Sequence, residues 1–287
     1  MCNYFCEKKI PLGRRIGFFC GSVSCERQFR KFPGPLQMAG QKQRLTAATR
    51  KCSFHRMNWS ETTLVILPGL DGMSILSQTA AALDWGGMKV SAIPLRNDGP
   101  QDYDALAKIL RPTLPAGPLV LLAESFSTPL AMLLATTESP RVKALVLVSG
   151  FCANPQPSGL GWLPLHPLLS LTPPAFVLKQ FLVGEDASPE LLDALTESIR
   201  QIPGSTLAER VRVTLALRES DCPNLRGLPV LLLQAQQDRL IPWEAQSQLE
   251  RHFPEATCHW VDGPHLLLQT RTQECRNAVI EFLAGTT

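Results

Sequence analysis

The chain has 287 residues, 45% hydrophobic and 18% charged, with 24 Pro and 19 Gly in no short repeat. This composition excludes a wholly disordered chain and a fibrous one, and the length suits one large α/β domain or two small ones. The formal net charge of +3 joins two unlike parts, because residues before Met57 sum to +10 and the remainder to −7.

The first 56 residues hold five of the nine cysteines and none of the five tryptophans. Glu7, Lys8 and Lys9 stand near the start and no apolar h-region follows, so no secretory signal is read there. The basic residues are thinly spread and no sustained 3.6-residue period runs through them, which disfavours a nucleic-acid arm and an amphipathic transit peptide. Cys2/Cys6 and Cys20/Cys25 lack paired histidines at ligand spacing, so no metal site is expected. An odd cysteine count without a secretory signal favours reduced thiols and a cytoplasmic setting. Residues 1–56 are therefore read as a basic, disordered, dispensable extension, or as sequence upstream of a working start at Met57. Residues 57–287 are read as the functional domain.

From Met57 onward short apolar runs alternate with helical patterns. A strand at Thr63–Leu67 ends at Pro68-Gly69, a helix follows over Ile75–Leu83, and a second strand, Lys89–Ile93, ends at Pro94. Tyr103–Leu114 has helical spacing, Leu119–Ala123 is a strand, and Pro129–Thr137 is the next helix. Strands at Ala144–Val148, Val230–Gln234 and Thr257–Val261 follow, and a last helix spans Gln273–Leu283. Near-continuous apolar strands separated by helices predict an α/β fold, a mostly parallel central sheet with helices on both faces.

The alternation breaks between Gly150 and Gly227. This insert, about 151–226, is predicted to be helical: Pro173–Phe181, then Ser188–Arg200 with Ser188 as N-cap, then Thr206–Leu217. Ligands in open parallel sheets bind beyond the C-terminal strand edge, so the insert is read as a cap over a site. No charged residue occurs from Ala144 to Leu178, and prolines at 164, 167, 173 and 174 break the apolar run, which excludes a membrane-spanning helix there. Within it Trp162, Phe176 and Phe181 are predicted to lie near an acyl chain.

Leu119–Ala123 runs into Glu124-Ser125-Phe126-Ser127 and then a helix, which puts a serine at the apex of a sharp strand-to-helix turn. Alone, such a serine reads as a helix cap. Asp238 follows the strand Val230–Gln234, however, and His265 follows Thr257–Val261. A histidine can take the proton of Ser125 while an aspartate holds the imidazole tautomer, so Ser125, Asp238 and His265 are the candidate catalytic residues. Pro68-Gly69-Leu70-Asp71-Gly72 follows the first strand, and the N–H groups of Leu70 and Phe126 are the candidate oxyanion donors. The remaining groups take ordinary readings. His55 and His252 are solvated, His259 is packed or exposed in its strand, and His166 is structural. Asp71 closes its own turn, Asp262 is a poorer acid than Asp238, and Glu124 makes local contacts.

With these four features in place, Ser60–Leu283 resembles the α/β-hydrolase superfamily, and more narrowly small bacterial esterase-like members with an LPGLDG loop and an ESFS elbow. The resemblance implies that fold, a serine nucleophile and ester or related acyl chemistry, without metal or organic cofactor. Ala123 stands where the elbow's first glycine is usual, and Pro68 where many members have histidine. The expected activity is hydrolysis of carboxylic esters of apolar acyl groups through an acyl-enzyme. Acyl transfer by the same residues, or weak small-ligand binding, are the alternatives. The implied partner is a small apolar ester, with no nucleic acid and no stable membrane insertion.

Overall fold

The sheet has six strands, β1 Thr63–Leu67, β2 Lys89–Ala92, β3 Leu119–Glu124, β4 Val142–Val148, β5 Val230–Ala235 and β6 Thr257–Val261. Of these β1, β3, β4 and β5 are mainly aliphatic, and the edge strands β2 and β6 are more polar. The computed structural model describes residues 59–286 except 73, 157–166 and 168–170; the basic segment 1–56 lies outside the described residues. The strands pair in the order β2-β1-β3-β4-β5-β6, and each of the five pairings is parallel.

Alternate side chains of a strand face opposite sides of the sheet, and here both sides are apolar. Val65, Leu67, Leu119, Leu121, Leu145, Leu147 and Leu232 belong to one buried cluster. Their neighbours Leu64, Ile66, Val120, Leu122, Val146, Leu231 and Leu233 belong to the other. Helices α2 (Tyr103–Leu110) and α3 (Ser127–Thr137) pack on the first face, joined by α7 (Trp243–His252) after the insert. Helix α1 (Ser74–Ala81) packs on the second face, with α8 (Leu267–Thr270) and α9 (Thr272–Gly285).

Between β4 and β5 the described residues form helices α4 (Ala175–Leu178), α5 (Pro189–Arg200) and α6 (Gly204–Ala216), joined by turns and loops. Ser188 caps α5 by accepting the Leu191 N–H at 3.2 Å, with Pro189 in the first turn where its missing N–H is harmless. A third cluster joins Leu178, Val183 and Leu195 of this insert to Leu76 of α1 and to Leu266, the residue after His265.

Two helices are shorter than their spacing predicts. Tyr103–Leu110 gives way to a tighter turn at Arg111–Thr113, because Pro112 cannot continue the α-helical hydrogen bonding. Helix α4 begins only after Pro173-Pro174 and opens into a wider turn, in which the Gly184 N–H reaches the Lys179 carbonyl at 2.9 Å. No helix among the described residues is long and apolar enough to cross a membrane.

Candidate active site

β1 and β3 are neighbours, but the chain leaves β1 for β2 on one side and leaves β3 for β4 on the other. Connections that depart in opposite directions open a crevice beyond the C-terminal ends of such a strand pair. The two loops at that crevice are Pro68–Gly72 after β1 and the turn at Ser125 after β3.

Ser125 has φ of +50°, a left-handed conformation that is costly for a residue with a Cβ. Its surroundings impose it. The Ser125 N–H donates to the Val148 carbonyl at 2.8 Å, and the Ser125 carbonyl accepts from the Thr128 N–H at 3.0 Å and the Thr128 hydroxyl at 2.8 Å. Ser127 stands where the usual elbow has its second glycine, and its hydroxyl donates to the Pro68 carbonyl at 2.5 Å. The elbow is thereby tied to the loop after β1.

His265 Nε2 lies 2.9 Å from Ser125 Oγ, and Nδ1 lies 2.7 Å from Asp238 Oδ2. A carboxylate only accepts, which assigns the proton to Nδ1 and leaves the Nε2 lone pair facing the Ser125 hydroxyl. The other oxygen of Asp238 accepts the N–H groups of Leu240 and Ile241, both at 2.8 Å, so the carboxylate cannot swing away. The His265 carbonyl accepts the Ser149 hydroxyl at 2.6 Å, and the next N–H, that of Leu266, donates to the Leu182 carbonyl of the insert at 2.9 Å. Ser125, His265 and the Asp238 side chain are all buried.

Burial is the largest single influence on His265 and opposes its protonation. The charge and hydrogen bond of Asp238 and the charge of Glu124 together outweigh it, so the imidazole titrates above its ordinary value. Glu124 is itself buried at the end of β3, and burial pushes its carboxyl up to about 7 although Gln269 of α8 donates to it at 3.0 Å.

A cavity of about 290 Å³ opens over Ser125 and His265, at the small end of the range for ligand pockets. Gly69 and Leu70 line it from the loop after β1, Leu240 and Leu266 from the loops carrying Asp238 and His265, and Leu178, Phe181, Leu182, Leu195, Ile199 and Leu207 from the insert. Among the described residues, Asp71, Ser125 and His265 are the only polar ones in its lining.

The structure thus brings Ser125, Asp238 and His265 together, sets Leu70 in the cavity wall and places Phe126 directly after Ser125. Phe181 lines the cavity, and Trp162 lies outside the described residues. Phe176 is a correction: it is 72% exposed and does not line the cavity. Val177, Leu178, Phe181 and Leu182 recur on one helical face, and Phe176 falls off that stripe. The leucines of α5 and α6 escaped the sequence reading, because leucine at helical spacing reads equally well as core.

Other candidates take simpler places. Asp71 accepts the Ser198 hydroxyl of α5 at 2.6 Å, while the turn beneath it is closed by the Gly72 N–H and the Gly69 carbonyl at 3.0 Å. Asp262 is exposed and accepts from Gln237 at 2.6 Å. His252 is half-buried instead of solvated, with Nε2 3.3 Å from the Pro223 carbonyl. Among the described residues, Cys152, Glu219 and His252 bring potential metal-ligand atoms within 4.8 Å of one another, but none of them lines the cavity.

A family model described as the alpha/beta hydrolase fold matches residues 55–271. Among solved structures the chain is similar to a thermophilic esterase from Thermogutta terrifontis, at 18% identity and a TM-score of 0.65, covering 78% of this chain and 90% of that one. It is also similar to a carboxylesterase structure from Nitrososphaera gargenis (16%, TM-score 0.64, covering 80% and 92%). An enol-lactonase from Burkholderia xenovorans LB400 is similar at 17% identity and a TM-score of 0.63, with 77% and 91% covered. Comparison with curated proteins gave no match. At such identities the structural likeness speaks for the fold, and the family match spans most of the chain. This protein belongs to the alpha/beta hydrolase fold family.

Proposed function

We propose that this protein is a serine hydrolase that cleaves carboxylic esters of apolar acyl groups through an acyl-enzyme. The observation that carries the reading is the hydrogen-bonded series Ser125–His265–Asp238, at 2.9 and 2.7 Å, opening on a cavity walled mainly by aliphatic side chains.

In this reading Ser125 Oγ attacks the ester carbonyl carbon as His265 Nε2 takes its proton. The tetrahedral oxyanion is held by the N–H groups of Leu70 and Phe126. Collapse breaks the bond to the alcohol, which leaves with the proton returned by His265. Water, deprotonated by the same imidazole, then attacks the acyl carbon and releases the acid and free Ser125. Asp238 holds the tautomer and stabilises the imidazolium in both halves. The helical insert about 151–226 acts as a cap whose leucines receive the acyl chain.

The test is turnover of p-nitrophenyl butyrate together with labelling by a fluorophosphonate. Wild-type protein is expected to hydrolyse the ester and to be labelled once, on Ser125, and Ser125→Ala to lose both, with kcat down about 10⁶-fold as for removal of a serine nucleophile. Unlabelled wild-type protein would support a binding module and sink the hydrolase reading. Acyl transfer to an added alcohol in preference to water would replace hydrolysis by transfer at the same site.

A further inference from the structure

Arg210 sits in the middle of α6, where an arginine ordinarily marks a solvated face, yet its side chain has no exposure to solvent. It reaches instead into the seam between the loops after β1 and β2. Nη1 donates to the Leu70 carbonyl at 2.9 Å, Nη2 to the Arg96 carbonyl at 2.9 Å and to Asn97 Oδ1 at 3.2 Å, and Nε to Gln101 Oε1 at 2.9 Å. The guanidinium carbon also lies 5.9 Å from the centroid of the Phe126 ring, whose stacking partner is Tyr103 at 5.1 Å.

Stability alone is a weak reason to bury a cation among mainly neutral oxygens, because an apolar side chain of similar volume is often as good or better there. The loop after β1 is shaped around this one. Gly72 has φ of +66°, and a Cβ built on it would overlap the Arg210 guanidinium. Arg210 does not line the cavity, so it is placed to act on the loops and not on the substrate. Burial pulls it down to about 10, against the charge of Asp71, which still leaves it cationic at neutral pH.

Leu70 and Phe126 carry the two N–H groups assigned above to the oxyanion. Arg210 holds the first by its carbonyl and faces the ring of the second, while Ser127 ties the two loops together through Pro68. Resting on the serine-hydrolase reading, we infer that Arg210 is a positioning residue. It holds the Leu70 and Phe126 donors in register for the tetrahedral intermediate and makes that register depend on the seating of the helical insert. Its positive charge behind the donors also favours the developing oxyanion over the neutral ester carbonyl.

The experiment compares the full-length wild type with Arg210→Lys, Arg210→Met and Gln101→Met. It measures kcat and KM for p-nitrophenyl butyrate, and inhibition by an alkyl trifluoromethyl ketone and by the matching secondary alcohol. The ketone binds as a tetrahedral oxyanion adduct of the serine, and the alcohol forms no oxyanion. Both Arg210 variants are expected to lose kcat by roughly tenfold to a hundredfold, less than the ~10²–10³ of deleting one oxyanion donor outright, with KM held. Ketone affinity is expected to fall in parallel with kcat, and alcohol affinity to stay at the wild-type level. Gln101→Met leaves Arg210 in place but removes its Nε acceptor, together with the Gln101 amide's own bonds to the Asp98 and Gly99 carbonyls. It gives a smaller change in the same direction, which keeps the inference testable should Arg210 variants fail to fold. Equal weakening of ketone and alcohol, or wild-type kcat in soluble variants, would overturn the positioning role. A wild-type protein that neither turns over ester nor labels on Ser125 fails at the earlier reading, and the inference falls with it.

Discussion

The strand-end loops and the helical insert meet at one cavity but are built in opposite ways. The loops that carry Ser125, Asp238 and His265 are dense in hydrogen bonds, and neither carboxylate oxygen of Asp238 lacks a partner. The insert contributes mainly leucine, isoleucine and phenylalanine to the wall. Directional bonds fix a geometry to tenths of an ångström, whereas apolar packing fixes a volume and tolerates exchange of similar side chains. On the serine-hydrolase proposal, chemistry and selectivity are expected to reside in separate parts of the chain. Arg210, Ser198 and Thr206 of the insert are exceptions, because each is a polar anchor reaching from the adaptable part into the loops after β1 and β2.

Substitutions on the two sides should therefore differ in kind. The largest effect is expected in the loops. Asp238→Asn keeps the shape but offers a donor to Nδ1, which favours the wrong imidazole tautomer, and kcat should fall about 10⁴-fold with little change in KM. Steady-state kinetics of the purified variant check this, and a large rise in KM with intact kcat would contradict the division.

An intermediate effect is expected in the insert. Leu195 is buried and lines the cavity. Leu195→Trp shortens the space for the acyl chain, so kcat/KM should fall for longer acyl chains by about 10–200-fold per rejected methylene while acetate esters keep their rate. A panel of p-nitrophenyl esters of rising chain length reads this. A uniform loss across the panel would mean that the wall also positions the chemistry.

The smallest effect is expected in the pH profile. The proposed base, His265, must be neutral to accept a proton, and its protonation is favoured by the charges of Asp238 and Glu124. The acid limb of kcat/KM should therefore lie above the ordinary imidazole value of about 6.5. Glu124→Gln keeps a polar group for Gln269 but removes a negative charge that stabilises the imidazolium, so the acid limb should move to lower pH. A limb that stays in place would show that Glu124 acts locally and does not tune His265.

Much of this architecture was legible in the sequence. Strands β1 and β6 fall on the predicted residues, because an aliphatic run buried on both faces, as in β1, or a β-prone run ending at a turn, as in β6, leaves a contiguous, local signal. Ser125, Asp238 and His265 were each readable as polar residues just beyond such a run. The helix ends at Leu110 and around α4 were read less well, because proline effects compete there with an apolar spacing that continues past them.

What the sequence by itself determined was the order of strands and helices along the chain and the identity of the residues at the strand ends, since both depend on near neighbours. What only the tertiary structure decided was which side chains meet across long separations. Gln269 meets Glu124 across 145 positions, Arg210 meets Leu70 across 140, and Ser127 meets the Pro68 carbonyl across 59. None of these contacts leaves a periodic or compositional trace. A leucine on α5 facing the cavity and one facing the core obey the same helical spacing, and an arginine on α6 looks solvated until the loops close over it. Burial, which raises Glu124 and lowers Arg210, is a property of the packed chain and not of any segment of it.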